Sequence, residues 1–519
     1  MSYIIDNTST HRKYVASDET GGVNKGYRSP VVWLWFLLFS IVVQLLANYD
    51  SPLQYYFQKV DSSWFFMGGK AMMNGYIPYV DFSDSKGPLV WLFYGLGYLI
   101  SPTSFHGVYV LHCLLFSFVF LLAFRLSCLV FDHKPVKARM TLSVVSVLIF
   151  AIPLFTYNHR EMRCEDLCQL PLLYCIYCMT YYIKKGALLS RQAYLIGLSM
   201  ACILMIKWNF AIYSAIIPLS IIIIVIKRRY HAASLTGWMT AGFLTIVAPI
   251  LLIFGIMGIL PVFVNEYFFN TASTFSRSFH DILIRYFLID MPSSFSYTRI
   301  IGFMACFVPI YYFKSYGKPK YVPTLCALFM FFTFSYWGGA AVHYHSSYVS
   351  WFVFLSCMIA QVICVICRYS RIVAFTVAVV ASFSLIGLYV SAYHHNWIWS
   401  DTNKVFEDSE RRLSRLHSPK ILNLGAMEYS IGLSANALPA CRYWSLQSNA
   451  GFQYPQQVKA LNSRIPDIVV VPGDADLVTP EMDEVLDSLR YSHLSTVPNI
   501  FRSYYHVYVK DELYDSCME

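Results

Sequence analysis

Residues 106–131 read His-Gly-Val-Tyr-Val-Leu-His-Cys-Leu-Leu-Phe-Ser-Phe-Val-Phe-Leu-Leu-Ala-Phe-Arg-Leu-Ser-Cys-Leu-Val-Phe. The run is apolar almost throughout, and continuous rather than alternating. As helix it is long enough to cross a hydrocarbon core of about 30 Å. Only helices and closed barrels satisfy their backbone polar groups in lipid, and the continuous pattern selects the helix. Comparable blocks recur near 31–47, 141–155, 167–183, 192–206, 211–226, 235–259, 300–313, 321–337, 349–367 and 372–392. The composition agrees. Hydrophobic residues make up 57% of the 519 and charged residues only 13%, against about 45–50% and about 25% in soluble chains. The expected fold is an all-α polytopic membrane protein with about eleven transmembrane helices.

The net charge is +9, and its placement sets the orientation. Arg12, Lys13, Lys25 and Arg28 precede the first block. Lys134, Lys137 and Arg139 follow the second, and Lys184, Lys185 and Arg191 the fourth. Lys227, Arg228 and Arg229 follow the sixth, Lys314, Lys318 and Lys320 the eighth, and Arg368 and Arg371 the tenth. With eleven spans all these fall on one side, which the positive-inside rule makes cytoplasmic. The N-terminus is then cytoplasmic and the C-terminus extracytoplasmic, in a cell inner membrane. No basic patch interleaved with aromatics points to nucleic acid. The first block reads as a retained span rather than a cleavable signal peptide.

Residues 87–100 are apolar but short. Counting them as a span would flip every later loop, so they read as a helix in the outer interface, with Trp91, Tyr94 and Tyr98 at headgroup depth. The expected organisation is a cytoplasmic tail (1–30), a transmembrane domain (31–392) with a long first outer loop (48–105), and an extracytoplasmic α/β domain (393–519). In that last part Lys420–Gly425 and Asp467–Val471 read as buried strands. Asp401–Leu416 and Pro480–Leu489 read as helices, the second with Thr479 as N-cap. The chain has 14 cysteines, mostly inside apolar blocks, without a disulfide framework or zinc-ribbon spacing. No internal repeat is present.

The first outer loop holds the chemistry. It runs Val60-Asp61-Ser-Ser-Trp64 into a short helical stretch through Lys70. A Gly75-Tyr-Ile-Pro78-Tyr79 turn follows, then Asp81, then Asp84-Ser-Lys86-Gly87-Pro88-Leu89. Two later outer segments add Arg160-Glu-Met-Arg163-Cys-Glu165-Asp166 and, between the fifth and sixth blocks, Lys207.

This pattern resembles the first loop of GT-C class integral membrane glycosyltransferases, in the protein O-mannosyltransferase and lipid A aminoarabinose transferase-like branch. The likeness covers roughly the first 230 residues. In that branch an Asp follows the first span, and an acidic–Lys–Pro step opens a juxtamembrane helix. The resemblance implies an inverting enzyme that moves a sugar from a polyprenyl-phosphate donor to a lipid or glycan acceptor on the outer face. The chemistry is coherent with those residues. Asp61 is the candidate base for the attacking hydroxyl. Lys86, Arg163 and Lys207 are candidates to hold the leaving phosphate. Asp84, Glu165 and Asp166 are supporting acids. Trp64, Tyr79, Arg277, Arg285, His343 and His345 are candidate substrate contacts.

Each position also admits a structural role. Asp61 suits a helix N-cap, Lys86 and Lys207 suit interfacial anchors, and Glu165 and Asp166 suit a helix N-terminus. No cofactor is called for. The resemblance leaves room for a divalent metal between Asp61 and Glu165 or Asp166, by analogy with oligosaccharyltransferases. His343 and His345 are two apart and do not share a helix face. The rival readings are a transporter or flippase of lipid-linked sugars, and an O-antigen polymerase or ligase-like enzyme.

Overall fold

The computed structural model describes residues 30–48, 50–53, 61–152, 162–227, 232–270, 308–313, 349–369, 376, 400–426, 430–446, 450–473, 482–498 and 504–518. The helices are α1 (Pro30–Ala47), α2 (Asp61–Met73), α3 (Pro88–Ile100), α4 (His106–Val130), α5 (Val136–Ala151), α6 (Cys164–Leu167), α7 (Gln169–Lys185) and α8 (Ser190–Ile206). They continue with α9 (Trp208–Ser214), α10 (Ile216–Lys227), α11 (Ala232–Ile256), α12 (Leu260–Val264) and α13 (Val349–Tyr369). Among the described residues four helices are long and apolar enough to cross a membrane: α1, α4, α11 and Ser350–Arg368 within α13. Most of the expected block at 300–313, and all of those at 321–337 and 372–392, lie outside the described residues.

The chain leaves α1 and forms α2, whose residues Ser62–Ala71 are all buried. That helix packs on α3 closely enough that a Cβ on Gly69 would lie 2.4 Å from the backbone nitrogen of Gly95. At 13 residues, α3 extends about 20 Å at ~1.5 Å per residue, too short for a span. Its expected aromatic face is corrected by the packing. Trp91 and Tyr94 are fully buried, with Phe65 and Phe82 around Trp91 and Phe65 beside Tyr94. Leu92, Leu96, Leu99 and Ile100 form the exposed side instead. Burying a large apolar side chain stabilises by about 1.5–3 kcal/mol, which favours placing the two rings under α2.

Residues 400–518 carry α14 (Ser400–Leu413), β1 (Lys420–Asn423), β2 (Leu438–Pro439), α15 (Ala450–Asn462), β3 (Ile468–Pro472), α16 (Met482–Ser488), β4 (Tyr491–Pro498), β5 (Tyr504–Lys510) and α17 (Asp511–Met518). The five strands form one sheet in the order β2-β1-β3-β5-β4. β1 pairs parallel with β2 and β3, and β5 pairs antiparallel with β3 and β4. Every residue of β3, Ile-Val-Val-Val-Pro, is buried, as a central strand covered on both faces requires. The expected strands at 420–425 and 467–471 match β1 and β3. The β4–β5 pair was not expected, because its alternation is broken by a register shift between His493 and Ser495. Thr479 lies outside the described residues.

This sheet sits against α2. The Trp64 and Trp444 rings lie 5.3 Å apart, and the Asn436 amide donates to the Tyr98 hydroxyl at 3.4 Å.

Candidate functional site

Three cations and three carboxylates gather where α2, α3, α6 and α8 begin or end. Asp61 is the first residue of α2, and its side chain is 45% exposed. Arg163 precedes α6 and brings its Nε to 3.5 Å from Asp61 Oδ2. Lys86 stands just before α3, with its Nζ 3.6 Å from Asp84 Oδ1. Lys207 terminates α8 and forms an ion pair and hydrogen bond with Glu165 Oε1. The Cys164 thiol donates to the other oxygen of Glu165 at 3.1 Å.

The Lys86 backbone is fixed from two sides. Tyr79 donates its hydroxyl to the Lys86 carbonyl at 2.7 Å, and Gly87 donates its N–H to Ile206 O at 3.0 Å. Position 87 requires glycine, since a Cβ there would lie 2.0 Å from Met205 O. Tyr79 itself adopts φ +69°, a region unfavourable for a bulky residue. Its ring is locked between Phe254 and Phe263.

Electrostatics separate the two lysine–carboxylate pairs. Burial alone would lower the Lys86 ammonium, but the Asp84 carboxylate beside it outweighs that and holds it above its ordinary value. Burial pushes Glu165 up, yet the contact with Lys207, aided by Cys164 and Arg163, brings it down to about 2. Both ions are therefore charged at neutral pH.

Asp166 does something else. It accepts the Arg163 backbone N–H at 3.0 Å, which is the reach-back of a helix-capping acid. Of the two adjacent acids, Glu165 pairs with a cation and Asp166 caps α6. Two expected substrate contacts are also placed differently. Tyr79 is 1% exposed and stands behind the Lys86 loop, and Trp64 is 7% exposed against Trp444. Arg277, Arg285, His343 and His345 lie outside the described residues.

Asp50 was missed in sequence. It is buried, and its Oδ2 accepts the Met162 N–H at 3.3 Å and the Ser62 hydroxyl at 3.4 Å. A lone acid just after an apolar block was the available signal. Among the described residues no group of three or more His, Cys, Asp or Glu side chains is arranged to hold a metal ion.

Beneath the charged cluster lies an apolar cavity of about 560 Å³ between α3, α4, α7 and α8. Leu89, Leu167 and Ile206 line it, each within three residues of Lys86, Glu165 or Lys207. The lining continues through Leu96, Leu122 and Tyr174 to Arg125 and Tyr177. A molecule with an anionic head and a long apolar tail fits such a combination: ion pairs hold the head, and the walls take the tail.

No protein-family profile matches the chain, and no curated protein matches it in sequence. Solved structures do. ArnT from Cupriavidus metallidurans in the apo state superposes with a TM-score of 0.55 at 10% identity, covering 91% of this chain and 97% of that one. The same protein bound to undecaprenyl phosphate superposes with a TM-score of 0.53 at 13% identity, covering 92% of this chain and 98% of that one. At such identities the likeness is one of architecture: this chain has the fold seen in ArnT.

Proposed function

We propose that the protein is a membrane glycosyltransferase that takes a sugar from a polyprenyl-phosphate donor and passes it, with inversion, to an acceptor hydroxyl at the outer membrane surface. The observation that carries this reading is the charged cluster, whose chain neighbours Leu89, Leu167 and Ile206 line the 560 Å³ apolar cavity. The ArnT structure of the same fold is bound to undecaprenyl phosphate, and that likeness supports the donor class. In this reading eleven spans leave the N-terminus in the cytoplasm of the cell and the first loop and C-terminal sheet outside.

The acceptor oxygen attacks the anomeric carbon and gives its proton to Asp61. The bond from that carbon to the phosphate oxygen breaks, and its electron pair leaves on the polyprenyl phosphate. The phosphate needs positive charge rather than a proton, because it is already a stable anion. Lys86 is the first cation to supply it. Its ion pair is longer than that of Lys207, and its side chain is 22% exposed against 11%, so it exchanges Asp84 for phosphate with least loss. Arg163 orients Asp61 and flanks the phosphate. Glu165 and Asp84 keep Lys207 and Lys86 in place.

The test uses purified protein in lipid nanodiscs with an undecaprenyl-phosphate sugar and an acceptor extract. Asp61→Asn is expected to bind the donor as before and lose transfer by about 10²–10⁴-fold, the usual contribution of a positioned base. Asp61→Asn protein that turns over like wild type would remove the assignment.

A further inference from the structure

The loop that carries Lys86 is held by a part of the chain that no sequence pattern connects with it. Ser83 donates its backbone N–H to Arg442 O at 3.1 Å, and its hydroxyl to Glu266 Oε2 at 3.0 Å. Arg442 closes the triangle through its guanidinium, 2.5 Å from Glu266 Oε1. Tyr443 adds its ring to the Arg442 guanidinium, 5.3 Å from the centroid.

Glu266 sits in a π-helical turn, Asn265–Asn270, directly after α12. Such turns are rare and concentrate at functional sites. The next residue in that turn, Tyr267, donates to Leu204 O at 2.5 Å, so the turn is tied to the end of α8 as well. Ser83 is 6% exposed, and the Glu266 side chain 13%. A partly desolvated carboxylate that receives a guanidinium and a hydroxyl is a rigid point of attachment.

Two residues, Asp84 and Ser85, separate Ser83 from Lys86. Between them Asp84 turns the chain, accepting the Ser85 N–H at 2.5 Å and the Ser85 hydroxyl at 3.2 Å. The same carboxylate is the counter-ion of Lys86. The Lys86 loop is thus pinned at its far end by Gly87 and Tyr79, and at its near end by Glu266 and Arg442.

We propose that Arg442 and Glu266 are positioning residues for Lys86: their ion pair fixes Ser83, and through it the Asp84–Lys86 pair, so that the C-terminal sheet sets the geometry of the phosphate-binding cation. The proposal rests on the reading of Lys86 as a donor-phosphate ligand. An ion pair that merely docked the sheet would affect stability without affecting Lys86 in particular.

The full chain in nanodiscs tests this in two ways. Hydrogen–deuterium exchange of the 83–87 segment, with no lipid donor present, should speed up in Arg442→Ala and in Glu266→Gln. Exchange unchanged in both overturns the attachment, whatever the donor is. Binding of undecaprenyl phosphate should weaken about tenfold in either variant, the loss expected from one misplaced charged hydrogen bond. Arg442→Lys should recover most of it. In a Lys86→Ala background the second substitution should add nothing, because it acts through the missing side chain. Additive losses overturn the positioning role, as does Arg442→Ala protein that binds normally while Lys86→Ala does not. Wild-type protein that fails to bind undecaprenyl phosphate, or Lys86→Ala protein that binds it equally well, overturns the donor reading and this proposal with it. Glu266→Gln keeps the size of the side chain and serves where Arg442→Ala does not fold.

Discussion

The two ends of α2 meet buried carboxylates that respond in opposite directions. Near Asp61 the Glu165 carboxyl is desolvated, but a lysine touches it, and it falls to about 2. Near Lys70 the Glu410 carboxyl is equally desolvated. It accepts the Gly432 N–H at 2.6 Å, the Ser434 N–H at 2.9 Å and the Ser434 hydroxyl at 2.7 Å. Burial still wins, and it rises, with Lys70 exerting only a smaller opposing pull. Neutral donors satisfy an acceptor's geometry without replacing the solvation of a full charge. A cation in contact does more. The first arrangement keeps two full charges paired beside Asp61 and Arg163. The second ties α14 to the 432–434 turn.

Three experiments sharpen or break that contrast. The largest effect should come from the joint. Glu410→Ala removes the acceptor of the Gly432 and Ser434 N–H groups, and stranding buried donors costs about 1–3 kcal/mol each. A fall of about 3 kcal/mol in stability is expected, read as a lower thermal midpoint in detergent. An unchanged midpoint would show that the turn re-pairs with water and that the joint is not dry.

Lys86→Ala should come next. Donor binding should weaken about tenfold, or about 1.4 kcal/mol, with the midpoint nearly unchanged because the side chain is partly exposed. A large midpoint shift with normal donor affinity would make Lys86 a structural cation and remove the functional half of the contrast.

The smallest effect is the pH dependence, and its sign differs between the two sites. Glu165 is lowered from 4.5 to about 2, so it binds fewer protons folded than unfolded. Its contribution is present above pH 4.5 and is lost as pH falls toward 2. Glu410 is raised, so its contribution is present below its ordinary range and is lost as pH rises through the folded value. The midpoint difference between wild type and Glu165→Gln should shrink on acidification, and that for Glu410→Gln should shrink on alkalinisation. Both differences moving the same way would refute the contrast.

Much of this was legible in residue order alone. Continuous apolar runs have one solution in lipid, and the described helices at 30–47, 106–130, 169–185, 190–206, 232–256 and 349–369 fall on expected blocks. The short apolar stretch at 87–100 forms the thirteen-residue α3. Its buried face was not foreseen, because a helix with tryptophan, tyrosine and leucine on every side gives no single apolar stripe. Only the arrival of α2 over Gly95 decided that Trp91 and Tyr94 turn inward. Asp61, Lys86, Arg163 and Lys207 were singled out by the resemblance of their outer-loop motifs, but the contacts of Arg163 with Asp61 and of Lys207 with Glu165 were not readable from those motifs.

Sequence by itself determined that this chain makes apolar helices, that a long loop after the first one concentrates carboxylates and lysines, and that its last quarter changes character. The tertiary structure alone decided the partners. Glu165 took Lys207, 42 residues away, while its neighbour Asp166 capped α6. Ser83 took Glu266 across 183 positions. The physical reason is range: backbone preferences and hydrophobic runs act over a few residues, whereas an ion pair depends on two side chains being brought within a few ångströms by the packing of everything between them.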